Sequence, residues 1–117
     1  MAETDPLRWY TRPVLFVTSC ATARAFYVDQ LDFSVAWTSP DDWVCQVSHG
    51  ECEIILCTDT ARAGSGRVYI ELTREAHRRF DAQCTARQLP VREVQWGHRT
   101  QVLTDPDGNE LYFPYDE

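Results

Sequence analysis

The sequence predicts an α+β fold built from two βαβββ modules, and three observations predict it. A strand-like run, a helical periodicity and three further strand-like runs follow one another twice, at about 55 residues per module. A small polar stretch ending in Gly64-Ser65-Gly66 separates the two passes and reads as a joint. The second pass closes on Trp96–Tyr115, WGHRTQVLTDPDGNELYFPY, which reads as strand, tight turn and strand. The halves share a pattern rather than letters. One domain over 1–117 is expected, with module one at about 13–57, the joint at 58–66 and module two at about 67–115.

Each element has a local reason. Residues 1–12 are a polar leading segment in which Trp9 and Tyr10 are expected to pack against something. Pro13–Thr18 is a short apolar strand, with Pro13 at its start where no ladder donor is needed. Ser19 or Thr22 can cap a helix running to about Leu31, and Ala23, Phe26, Tyr27 and Gln30-Leu31 give it one apolar face. Phe33–Trp37 is a second strand and Ser39-Pro40-Asp41-Asp42 a turn. Trp43–Ser48 and Cys52–Cys57 then form a hairpin about His49-Gly50, with Gly50 at positive φ. In the second pass Arg67–Leu72 alternates as a half-buried strand, and Thr73 caps a helix through about Arg87. Ala76, Phe80 and Cys84 lie on one face of that helix, and Val91–Gln95 is a short strand. In the closing hairpin Pro106 presets its own φ, Gly108 and Asn109 tolerate positive φ, and the Asp carboxylates can accept backbone N–H groups.

Composition narrows the function classes. An apolar content of 44% and a charged content of 25% are ordinary for a globular chain. No apolar run approaches the ~20 residues of a membrane span. The opening MAETDPLRWYT has no hydrophobic signal core, so a cytoplasmic protein is expected. Five cysteines without a CxxC read as buried free thiols; a reactive thiol has no neighbouring motif to support it. The net charge is −7 and all eleven basic residues are Arg. That balance argues against nucleic acid, and it suits a cationic small molecule or mere solubility. No nucleophile elbow, phosphate loop or dinucleotide fingerprint is present.

The closing stretch, WG followed by DPDGN and an aromatic strand, resembles the C-terminal signature of the vicinal oxygen chelate superfamily. That superfamily holds glyoxalase I, bleomycin-resistance proteins and extradiol dioxygenases, and the match is closest to the bleomycin-resistance branch. PVLFV…ARAFYVDQLDF is similar to the family's opening strand, its FY-containing helix and the LGF that follows, with Asp32 in place of the usual Gly. Recognisable pieces span Pro13 to Tyr115. The resemblance implies a curved mixed sheet around a groove. It also implies a homodimer whose grooves form at the two-fold interface, in some members with the N-terminal strand exchanged at a proline. Pro13 lies at that place, and Trp9 and Tyr10 would then dock on the partner.

Metal-dependent members present His or Glu at four strand positions, which the resemblance puts on Arg12, Ile55, Arg67 and Tyr112 here. Arg stays protonated and Ile has no donor atom, so no metal or other cofactor is expected. Strand alternation puts Arg12, Val14 and Phe16 on one face with Arg67, Tyr69, Glu71, His98, Thr100, Glu110 and Tyr112. Gln46, Glu53, Ile55 and Cys57 join them if the hairpin register holds. His98 with Glu53 or Glu71 could form a partial metal site; alternatively these carboxylates pair with Arg12 and Arg67. His49 in a turn and His77 on a helix read as solvated residues.

In bleomycin-resistance proteins, which bind the drug without altering it, aromatic residues line the cleft. Trp37 and Trp43 match aromatics of that branch, Trp43 only after a one-residue gap, and Trp96 matches the WG motif. The candidate ligand-binding set is Trp37, Trp43, Trp96, Arg12, Arg67, Tyr69, Glu71, His98 and Tyr112. Against it stands the reading of these Trp as core or dimer-interface residues, and strand parity puts Trp43 on the helix side. The leading expectation is a non-enzymatic, metal-free protein that sequesters an antibiotic-like or other planar ligand. The alternative is a metal-dependent lyase, isomerase or dioxygenase with a rearranged site; an interaction module without a small ligand is a third reading. Arg12 with Arg67 suits an anionic ligand as much as the net charge suits a cation.

Overall fold

In a computed structural model that describes residues 6–115, the chain runs through eight strands and two helices. The first module holds β1 (Val14–Val17), α1 (Cys20–Leu31), β2 (Ser34–Thr38), β3 (Val44–His49) and β4 (Cys52–Thr58). The second holds β5 (Arg67–Tyr69), α2 (Arg74–Ala86), β6 (Arg92–Gln95), β7 (Arg99–Thr104) and β8 (Glu110–Pro114). Each module makes its own four-stranded mixed sheet, in the orders β1-β4-β3-β2 and β5-β8-β7-β6. The repeat is therefore topological: in both, the first strand lies parallel beside the last and the other pairs are antiparallel. No helix among the described residues is long and apolar enough to cross a membrane.

Ser19 caps α1 by accepting the Thr22 N–H, and Thr73 caps α2 by accepting that of Ala76. Cys20, Ala23, Tyr27 and Leu31, spaced by three and four, are the buried stripe of α1. They pack on Leu15, Val17, Cys45, Val47, Ile54 and Leu56, the inward residues of the first sheet. Phe80 of α2 stacks on Phe113 of β8 at 4.1 Å, which fixes the second helix on its sheet. All five cysteines are free.

Several expectations need correction. His49 pairs with Cys52, so the hairpin loop is Gly50-Glu51 rather than His49-Gly50. Gly50, at φ 61°, takes the first loop position, where a tight hairpin demands left-handed backbone. The strand expected over Arg67–Leu72 ends at Tyr69, because the chain turns out of the sheet to reach the Thr73 cap; only Ile70 N–H still donates to the Tyr112 carbonyl. Asp32 itself adopts the left-handed conformation that the usual Gly would, at φ 62°. The first five residues of the leading segment lie outside the described ones.

A polar knot joins the modules. Asp105 accepts the backbone N–H groups of Asp107 and Asn109, the Asn109 side-chain amide and the hydroxyl of Tyr27. Asn109 donates to the Phe16 carbonyl and accepts Gly66 N–H, while Thr18 donates twice to Asp107. Asp105, Asn109 and Tyr27 are buried, so the turn residues are core residues as well.

Candidate functional site

On the first sheet, register pairs Val14 with Ile55, Ile55 with Gln46 and Gln46 with Trp37, placing all four on the face away from α1. Trp37 reaches that face because a bulge between Val35 and Trp37 inserts one residue and reverses the alternation. Its indole N–H donates to Gln46 Oε1 at 3.1 Å. The Arg12 guanidinium donates to the same oxygen at 2.6 Å, and Gln46 Nε2 donates to Ser48. The result is a half-exposed Trp tethered to a buried amide beside a cation.

On the second sheet the equivalent face is aromatic and charged. Tyr69 of β5 lies opposite Tyr112 of β8. Trp96, continuing the alternation of Arg92 and Val94 on β6, sets its ring 5.3 Å from Tyr69 and 5.1 Å from Tyr112. Trp96 remains 51% exposed in this cluster. Arg67 lies opposite Glu110 and pairs with it at 3.3 Å. Arg92 reaches the other oxygen, Oε2, of the same carboxylate, and the Tyr112 hydroxyl donates to Oε1, the oxygen paired with Arg67, at 3.1 Å. Burial pushes the Glu110 pKa up, but the Tyr112 hydroxyl and the two guanidiniums outweigh it and hold the carboxyl below its usual range.

The remaining candidates are elsewhere. Trp43 immediately precedes β3, and alternation turns its exposed ring to the side opposite Val44 and Gln46, apart from Trp37. Glu71 and His98 line a cleft of 420 Å³ with His77 and Tyr115, at the edge of the second sheet. Glu71 also lines a 470 Å³ cleft between the modules and a 320 Å³ cleft shared with Glu51, Glu53 and Tyr69. The expected pairing of Glu53 and Glu71 with Arg12 and Arg67 is not made. Glu110 is nearer to Arg67 in register, Gln46 takes Arg12, and Glu53 Oε1 is buried without a hydrogen-bond partner among the described residues. His77 is not a solvated residue: its Nε2 bonds Gln101 at 2.7 Å and its ring stacks on Tyr115 at 4.5 Å. His49 belongs to β3 and leans on Phe33.

The four metal-ligand positions of the resemblance, Arg12, Ile55, Arg67 and Tyr112, are thus an amide-bound cation, an apolar residue, an ion-paired cation and a phenol bonded to Glu110. That donor set does not fit a divalent ion. Among the described residues no three His, Cys, Asp or Glu side chains converge as ligands. Gln46, Glu110 and Arg92 are site residues that the candidate set left out. Alternation already put Gln46 and Glu110 on the groove face, and counting back from Trp96 by twos would have found Arg92.

A profile of the "Glyoxalase/Bleomycin resistance protein/Dioxygenase superfamily" matches residues 9–113. No curated protein gives a significant sequence match. Among solved structures, the fold is similar to that of a bleomycin-binding protein from bleomycin-producing Streptomyces verticillus, complexed with copper(II)-bleomycin. That pair has 22% identity and a TM-score of 0.72, covering 95% of this chain and 99% of the other. It is also similar to TnmS3, an antibiotic binding protein from Streptomyces sp. CB03234, at 19% identity and TM-score 0.74, over 97% and 100% of the chains. A lactoylglutathione lyase from Agrobacterium tumefaciens is similar at 17% identity and TM-score 0.72, over 94% and 95%. At these identities the likeness speaks for the fold.

Proposed function

Because the chain belongs to the glyoxalase/bleomycin resistance protein/dioxygenase superfamily, we propose that it sequesters a planar small molecule on its aromatic face, without a metal and without altering it. The observation that carries this reading is the Trp96 ring, half exposed yet seated between Tyr69 and Tyr112. An indole tilted at 46° and 52° against two phenol rings has little freedom to lose on binding, and its exposed area is available for stacking. Trp37, pinned to Gln46 beside Arg12, offers a second such surface on the other module. Proteins of this fold that bind bleomycin and another antibiotic lend the reading support.

Both faces lie open in a single chain, and in this proposal a second copy closes them into grooves. Leu7 and Trp9 add support, as large apolar side chains that stand 81% and 92% exposed just ahead of Pro13. A titration of planar dyes and antibiotics, followed by Trp fluorescence, tests the binding. Trp96→Ala removes stacking of about 1–3 kcal/mol and is expected to weaken a hit roughly tenfold or more. A folded Trp96→Ala protein that binds every hit like the parent would sink the proposal.

A further inference from the structure

We infer that the ligand is a planar aromatic acid, its ring stacked on Trp96 and its anionic group held by Arg67 and Arg92; this rests on the reading that a planar molecule occupies the Trp96 face. Two guanidiniums from different strands, β5 and β6, converge on the one carboxylate of Glu110. The carboxylate lies beneath them, at 22% side-chain exposure against 68% for Arg67 and 53% for Arg92. The site therefore carries one positive charge in excess, in a chain whose net charge is −7. Each guanidinium has five N–H donors in a fixed fork and spends few of them on Glu110, so both can still grip a second, incoming oxyanion. Glu110 keeps the two like charges together and aimed in the absence of a ligand.

Distance links this cation pair to the aromatic rings. Arg67 and Tyr69 are alternate residues of one strand, so their side chains leave the same face roughly 6.6 Å apart at ~3.3 Å per residue. Tyr112 bridges the two features directly, its hydroxyl on Glu110 and its ring against Trp96. A small fused-ring acid spans that interval with the ring on Trp96 and the acid between the arginines. The competing charge has its own place: Glu53 and Glu71 line the 320 Å³ cleft on which Tyr69 also borders. Trp96 and Tyr112 do not line that cleft, whereas Tyr112 is bonded to Glu110 between the two arginines.

Calorimetric titration with three probes of one ring system decides the matter: 2-naphthoate, neutral 2-naphthamide and the 2-naphthylmethylammonium cation. Naphthoate is expected to bind at least tenfold more tightly than the amide. An Arg67→Gln/Arg92→Gln protein should bring naphthoate down to the amide's level while leaving the amide within about twofold. Equal binding of naphthoate and amide, or tighter binding of the cation, overturns the acid while Trp96-dependent binding keeps the planar-ligand reading. A naphthoate preference that survives the double substitution also overturns it, since the acid then sits elsewhere. If none of the three binds, the planar-ligand reading falls and takes this inference with it.

Discussion

At the scale of single residues, the buried polar groups make the sharpest demands. Tyr27 is fully buried, and its hydroxyl has Asp105 as partner at 3.0 Å. Burial and then the Asp105 charge push the phenol pKa up, so it stays a donor throughout the accessible pH range. Tyr27→Phe is expected to cost about 1.5–3 kcal/mol in urea unfolding, because a hydrogen bond to a charged acceptor is lost. A loss below about 0.5 kcal/mol would show that the Tyr27 hydroxyl adds nothing to the bonds Asp105 already accepts from Asp107 and Asn109. Glu110 sets a pH dependence. Its folded pKa is depressed, so its stabilisation is complete above the unfolded carboxyl value of about 4.3 and is lost as pH falls through the lower folded value. Glu110→Gln should therefore be less stable than the parent at neutral pH, with the gap closing in acid; a gap constant over pH 2–7 would contradict this. Much of this residue-level picture was legible from strand parity, which put Arg67, Tyr69, Glu110 and Tyr112 on one face. Trp37 was not, because a bulge leaves no mark in an alternating sequence.

At the scale of elements, the joint and the last turn are one construction. Gly64, at φ 85°, lies so close to Asp107 that a Cβ would overlap its carbonyl oxygen, and a Cβ on Gly66 would meet Leu15 at 2.6 Å. Gly50 also has positive φ, yet open space surrounds it. Gly50→Ala should thus cost only the ~1–2 kcal/mol of left-handed backbone, and Gly64→Ala distinctly more, since backbone must move as well. Equal melting temperatures for the two variants would argue against the close approach. Helix bounds were readable because caps and turn glycines are local chemistry: Ser19, Thr73 and Asp105–Asn109 each declare themselves within a few letters. Strand ends were less so. Whether Arg67–Leu72 stays in the sheet depends on where Thr73 must be, and that is decided by α2 packing rather than by alternation.

For the whole molecule, the proposed second copy is the main open consequence of the exposed apolar residues ahead of Pro13. Light scattering at micromolar concentration is expected to give twice the 13.5 kDa chain mass, and Trp9→Ala should shift the balance towards monomer. A monomer mass for the parent protein would remove the dimer from the account. The knot around Asp105 has a different implication, one of timing. Phe16 waits for a partner 93 positions away, Thr18 for one 89 away and Tyr27 for one 78 away, all in the turn before the final strand. A ribosome thus delivers the opening strand and helix first and their fastening last. A stalled or frameshifted message that keeps every strand through β7 still yields a first module with Tyr27 facing no carboxylate, so errors near the end of translation should be felt at its beginning.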